Sequence, residues 1–291
     1  MDHTTRDERL LVIGLGASGR AAAREALAAG FRVTATARDP TLAGMAGVAV
    51  IPFAEAAAAI AEATHLLVTA PPGEAEGDPA IAAHRAALRE AGRLRWIGYV
   101  STTGVYGDRG GAWLDETAAP APGQPRSRRR LAAEQAWRAI AAGRALDLFR
   151  TAGIYGAKRS VFEDLRAGTA RRILAPDHDF GRIHVADMGR ALIAAAGRTP
   201  PPGVRVLHLT DDLPAPPSEV IAEAARLLGI EPPPARPLAE LWPEMSPMAR
   251  SFWSESRRLR NDITKQALGL AWRYPSYREG LAAVLAAEST S

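Results

Sequence analysis

Apolar residues fall along this chain in short blocks, separated by alanine-rich stretches of helical period. The first block, Leu10-Leu11-Val12-Ile13, reads as a buried strand, and the Ala-rich run after it reads as a helix ending at Gly30. Further blocks at 31–36, 48–51, 65–70, 95–100, 145–150 and 204–209 predict strands. Between them, 54–63, 80–91, 127–142, 160–167 and 187–196 predict helices. This strand–helix repeat predicts an α/β architecture with a doubly wound parallel sheet. Residues 107–125 and 150–156 read as loops. Past residue 211 the repeat gives way to short helices and proline clusters such as Pro232-Pro233-Pro234, with a last helix at 276–288. The pattern therefore predicts a sheet domain over 1–155, completed by roughly 183–210. Residues 156–182 and 211–291 are expected to form a small, mainly helical lobe on the substrate side.

Between the first strand and its helix lies Gly14-Leu15-Gly16-Ala17-Ser18-Gly19-Arg20. A Gly-x-Gly-x-x-Gly run in this setting is a dinucleotide-binding signature. Gly14 serves the tight turn, Gly16 admits the pyrophosphate to the backbone, and Gly19 lets helix and strand pack closely. The helix N-terminus, at Ala17 and Ser18, offers free N–H groups to phosphate. An NAD site carries a carboxylate at the end of the second strand, about 20 residues on. Here the place holds Thr36-Ala37-Arg38-Asp39. Arg38, with Arg20 as a second candidate, is placed to meet a 2′-phosphate, so NADP(H) is expected rather than NAD(H). The other reading keeps Arg38 on the surface and gives the ribose to Asp39. Ala70 and Pro71, ending the fourth strand, are expected to lie against the cofactor.

Composition narrows the classes without changing this picture. The 291 residues are 47% hydrophobic and 23% charged, and none is cysteine, which excludes disulfides and thiolate zinc sites. No run approaches the ~20 apolar residues of a membrane span, and no secretory segment is read at the N-terminus, so the cytoplasm is the expected location. The 36 basic and 32 acidic side chains nearly balance. The densest basic cluster, Arg126-Ser127-Arg128-Arg129-Arg130, lacks interleaved aromatics, which argues against nucleic acid. It reads equally as a solvated helix start or as a clamp for a phosphate or carboxylate on a small-molecule substrate. The oligomeric state is left open.

Four stretches together carry a family pattern: the glycine run, Ser101-Thr102-Thr103-Gly104-Val105-Tyr106-Gly107, residues 150–156, and Arg182-Ile183-His184-Val185-Ala186-Asp187. In order and spacing the chain resembles the extended short-chain dehydrogenase/reductases, which include nucleotide-sugar epimerases and dehydratases. The C-terminal part looks like an atypical branch. The resemblance implies a Rossmann-like fold and an NADP(H)-dependent oxidoreductase or epimerase-like activity, with Gly153 also at the cofactor. It places Thr102 at the hydroxyl that polarises the substrate carbonyl. It also implies a Tyr-x-x-x-Lys pair, with Tyr as acid/base and Lys at the nicotinamide ribose. Those two places hold Arg126 and Arg130.

An arginine does not give up its proton in a protein, so Arg126 is no general base, while Arg130 still offers a fixed cation near the ribose. Tyr106 is the first candidate for a replacement proton donor and Tyr155 a weaker one; both tyrosines also read as loop-shaping residues. His184 reads as a packing residue and His84 as a surface one. His178, flanked by Asp177 and Asp179, is an outside candidate, and no metal site is expected. An enzyme with an altered active site and a non-catalytic NADP(H)-binding sensor both remain open.

Overall fold

The computed structural model describes residues 7–73, 77–157, 159–175 and 178–289. In chain order the elements are β1 (Arg9–Ile13), α1 (Ala17–Ala28), β2 (Arg32–Ala37), β3 (Val48–Pro52), α2 (Ala56–Glu62), β4 (His65–Val68), α3 (Pro79–Glu90) and β5 (Trp96–Thr102). Next come β6 (Trp113–Leu114), α4 (Pro125–Ile140), β7 (Ala145–Thr151), β8 (Gly153–Tyr155), α5 (Val161–Arg166), β9 (Ile173–Leu174), β10 (Arg182–His184), α6 (Val185–Gly197) and β11 (Gly203–Leu209). The chain ends with α7 (Pro217–Leu228), β12 (Arg236–Pro237), α8 (Leu238–Leu241), α9 (Pro247–Trp253), β13 (Arg258–Leu259), α10 (Asp262–Leu268) and α11 (Tyr277–Glu288).

Seven strands form one parallel sheet in the order β11-β7-β5-β4-β1-β2-β3. The order reverses at β1, the doubly wound arrangement that places ligand sites at the carboxyl ends of the central strands. Register follows the apolar blocks: Val12 pairs with Ala35 on one side and Leu67 on the other. Leu11 and Ile13 enter a core with Ile60 of α2, Ile81 and Leu88 of α3, and Trp137 of α4. Val12 points to the opposite face, under Gly19 of α1. On that helix Ala21, Ala22, Ala23 and Ala26 are buried, and Gly189 of α6 sits so close to Ala21 that a side chain there would meet its backbone at 2.9 Å. Small residues thus set the spacing of this layer.

The chain forms two compact units. The first comprises Met1–Thr102, Arg128–Arg150 and Met188–Leu207; the second comprises Thr103–Ser127, Thr151–Asp187 and His208–Ser291. The second unit is built on α5, α7 and α11, whose Phe162, Leu165, Ile221, Ala224, Leu281 and Val284 share one core. Capping boxes start two of these helices, Ser160 with Glu163 and Ser276 with Glu279. Gly280 packs against the Tyr155 ring, where a side chain would collide with the phenol.

Three local expectations are corrected. The segment 107–125 is not simply a loop: Trp113–Leu114 pairs in parallel with Arg258–Leu259, which ties 103–127 to the second unit. The stretch after β7 forms a short strand, with Ile154 opposite Ile183 in β10. His84 is not a surface residue. It is buried in α3, its Nε2 is 2.9 Å from the Phe53 carbonyl, and its ring meets Phe53 edge-on.

Candidate functional site

The glycine loop is fixed from three sides in the first unit. Gly14 has φ 102°, a conformation open chiefly to glycine, and its N–H donates to Thr36 Oγ1 at 3.2 Å. The Thr69 hydroxyl donates to the Gly14 carbonyl at 2.6 Å, and a Cβ on Gly14 would stand only 2.9 Å from that hydroxyl. Gly19 faces the same carbonyl so closely that any side chain would collide with it. Gly16 differs from both. It caps α1 with φ −78°, no side chain caps the helix there, and a Cβ on Gly16 would find no atom within 4 Å. The first turn of α1 carries no acidic residue. Ala17 and Ser18 thus open a helix whose positive end faces an unobstructed surface, the requirement for a phosphate.

At the end of β2 the side chains divide their tasks. Asp39 Oδ1 accepts from the Thr41 N–H at 3.0 Å and the Thr41 hydroxyl at 2.5 Å, bonds that hold its carboxyl below the usual carboxylate range. Arg20 donates to the carbonyls of Ala43 at 2.8 Å and Gly44 at 3.2 Å, so it braces the following loop. Arg38 is exposed just beyond the strand and makes no hydrogen bond or ion pair among the described residues. Ala70 and Pro71 follow β4, and the Ala70 N–H is anchored to the Ile13 carbonyl at 3.1 Å.

The end of β5 rests on buried charges that sequence reading did not single out. Ser101 donates to Glu134 Oε1 at 2.5 Å, and Arg150 binds the two Glu134 oxygens at 3.2 and 2.9 Å, all three side chains being buried. The fully polar trio beneath Thr102 fixes the strand end. Thr102 itself is half-buried. Arg130 donates to the Val100 carbonyl at 2.9 Å and to the Tyr99 hydroxyl at 3.2 Å, with its guanidinium 5.7 Å from the Tyr99 ring centre. The structure therefore places Arg130 on the carboxyl end of β5, in the same unit as the glycine loop, Arg38, Ala70, Pro71 and Thr102. Burial pushes the Tyr99 phenol well above its ordinary value. Asp78, also missed, caps α3 by accepting from the N–H groups of Ala80 and Ile81 at 3.0 and 3.2 Å; the Asp-Pro pair at 78–79 was its sequence signal.

In the second unit, Tyr106 is wholly buried, with its hydroxyl 2.5 Å from His208 Nε2. His208 Nδ1 lies 2.7 Å from the Arg260 carbonyl, which can only accept, so Nδ1 carries the hydrogen and Tyr106 donates to Nε2. Tyr155 is buried and donates to the Ser276 carbonyl at 3.3 Å; burial raises its phenol further from titration. His184 packs against Tyr155 and Tyr274, and burial lowers its pKa. His178 lies 2.7 Å from the Trp253 carbonyl, and Asp179 pairs with Arg258 at 2.6 Å; Asp177 lies outside the described residues. Gly153 donates to the Gly181 carbonyl at 3.1 Å, and Arg126 is exposed at the start of α4. Among the described residues no three His, Asp or Glu side chains form a metal-binding group, and no helix is long and apolar enough to cross a membrane.

No family model matches the chain. A solved structure of a functionally unknown conserved protein from Silicibacter pomeroyi is 40% identical, covering 97% of this chain and 99% of that one with a TM-score of 0.88. MoeE5, solved with UDP-glucuronic acid and NAD, superposes with a TM-score of 0.77 at 22% identity, covering 97% of this chain and 100% of that one. Human epimerase family protein SDR39U1, solved with NADPH, does so with a TM-score of 0.74 at 18% identity, covering 95% and 98%. The chain has the extended short-chain dehydrogenase/reductase fold. Within that fold it shares a family with the Silicibacter protein. A 3-diazoavenalumate denitrifying reductase from Streptomyces is 30% identical over 211 residues, 67% of this chain. The match spans about two thirds of that reductase's own length. Solved short-chain dehydrogenase/reductase neighbours thus hold nicotinamide cofactors of both kinds, NAD in one and NADPH in the other.

Proposed function

We propose that this protein is an NADP(H)-dependent oxidoreductase or epimerase-like enzyme with an altered proton-transfer apparatus. The observation that carries the reading is the pairing of an open Gly16 surface with an exposed Arg38. The adjacent carboxylate, Asp39, accepts both its Thr41 bonds on Oδ1. A ribose 2′-hydroxyl would meet a carboxylate already turned to Thr41 through one oxygen, whereas a 2′-phosphate would find an exposed guanidinium. Arg20 contributes indirectly, by bracing the loop at 43–44. When bound, the cofactor supplies or accepts a hydride. Arg130, held on the β5 end, would provide a fixed cation toward the ribose, and Thr102 would polarise the substrate carbonyl.

The usual proton donor has no replacement in the candidates named from sequence. Arg126 stays protonated, and Tyr106 directs its hydrogen at His208. We therefore assign the proton to solvent, in a reaction where hydride reaches an electron-poor centre and water protonates the resulting anion. UDP-glucuronic acid and UDP-glucose, bound in MoeE5, and 3-diazoavenalumate, named in the Streptomyces reductase, define the first panel to try. NADPH oxidation with a member of that panel or a simple carbonyl, lost in Thr102→Ala, supports the enzyme. A second reading, a non-catalytic NADP(H) sensor, is favoured by Arg126 at the tyrosine place; tight NADPH binding without turnover across the panel would establish it instead.

A further inference from the structure

The second unit holds a cavity of about 400 Å³, within the size range of small-molecule pockets. Its walls are mostly apolar, formed by Tyr155, Val220, Ile221, Tyr277 and Leu281, and α5, α7 and α11 frame it. Into this setting β10 places a strong cation, Arg182, while Arg159 and Asp164 line the cavity from the approach to α5 and from α5 itself. The Arg182 Nη1 donates to the carbonyls of Phe180 at 2.8 Å and Ala215 at 2.9 Å, which fixes the guanidinium. Its remaining N–H groups make no hydrogen bond, and no carboxylate pairs with it within 4.0 Å, among the described residues. Arg182 is half-buried, so these donors stay open to a partner that enters the cavity.

The groups facing Arg182 do not supply that partner. Asp211 is wholly buried and neither carboxylate oxygen has a hydrogen-bond partner; burial pushes it up to about 8, so at neutral pH it is mainly protonated. Asp179 is taken by Arg258 at 2.6 Å, and Asp212 by Lys265 at 2.9 Å. The phenols of Tyr155 and Tyr277 are both raised by burial and stay neutral. At the mouth, Ser160 is occupied in capping α5.

We propose that this cavity is a binding site for a small carboxylate with a compact hydrocarbon body, the carboxylate meeting Arg182 and the body lying between Val220, Ile221, Tyr277 and Leu281. Guanidinium forks match carboxylates in geometry, and apolar walls reject a fully hydrated ion such as inorganic phosphate. The site uses no residue of the glycine loop, so it stands independently of the nucleotide reading.

Calorimetric titration of the full chain with benzoate, hexanoate, benzamide and inorganic phosphate tests it, with NADPH titration as a control for folding. Saturable binding of benzoate or hexanoate at one site per chain is expected, with benzamide and phosphate weaker by about tenfold or more, the worth of one charge-assisted hydrogen bond. Arg182→Met should weaken carboxylate binding about as much, and Val220→Trp, which fills the cavity without touching the charge, should do the same. NADPH binding should be unchanged in both. The proposal is overturned by any of four results: no saturable binding of either carboxylate, benzamide or phosphate binding as well as benzoate, or carboxylate binding retained in a folded Arg182→Met protein or in Val220→Trp. Should Arg182→Met fail to fold, the Val220→Trp result decides.

Discussion

Gly16 and Gly19 lie three residues apart, yet the structure assigns them opposite sensitivities. A methyl group on Gly16 meets nothing within 4 Å, and its φ of −78° is ordinary for alanine. Alanine is a poorer helix cap than glycine by roughly 0.5–1 kcal/mol. The smaller entropy of the unfolded chain returns about 0.4–1 kcal/mol. Gly16→Ala should therefore leave stability within about 1 kcal/mol of wild type, a melting shift of roughly 2–4 °C at most. On the proposed reading, the open surface it fills is where a pyrophosphate meets the α1 backbone. Losing two charge-assisted bonds of about 1.5 kcal/mol each costs about 3 kcal/mol, or roughly 100-fold in affinity. Gly19→Ala has the reverse profile: its methyl collides with the Gly14 backbone oxygen, so a loss of about 3 kcal/mol or more is expected in the apo protein. Urea denaturation gives the stabilities and NADPH fluorescence titration the affinities. A Gly16→Ala protein that is stable and binds NADPH within threefold of wild type would refute the reasoning.

Two further predictions concern buried charge. Glu134→Ala takes away the carboxylate that both Arg150 and Ser101 bind in a buried place, so a loss of about 3–5 kcal/mol is expected by denaturation; a loss below about 1 kcal/mol would show that water replaces the carboxylate. Asp211 has a folded-state pKa near 8 against an ordinary 3.8, so its contribution to stability is fully present below about pH 3.8 and is lost as pH rises through about 8. At about 1.36 kcal/mol per unit the loss is bounded at ~6 kcal/mol. Asp211→Asn should raise stability by about 2 kcal/mol or more at pH 8 and change it little at pH 4, as read by melting across pH; an equal effect at both would contradict the assignment.

Much of the sheet was legible because its strands are apolar on both faces, as at 10–13 and 65–68, and its helices are long and alanine-rich. Legibility failed where pairing is long-range. Nothing local in Trp113-Leu114 announces a partner at 258–259, and the strand at 153–155 is too short to show a period. The glycine loop could be read because its chemistry is local. The Ser101–Glu134–Arg150 trio and the Arg182 cavity could not, since each joins residues from distant segments into one buried place. A charged residue opening the otherwise apolar Ile183 block was the available hint for Arg182. His84 misled because its burial depends on Phe53, 31 residues earlier.

The most direct test of the account is cofactor choice at the end of β2. Fluorescence titration of the wild type with NADPH and NADH, repeated on Arg38→Ala, isolates the one exposed guanidinium assigned to the 2′-phosphate. Wild type should prefer NADPH by about tenfold or more, and Arg38→Ala should lose that preference through NADPH alone, with NADH affinity unchanged. Equal binding of the two cofactors by wild type, or a preference that survives in Arg38→Ala, would contradict it.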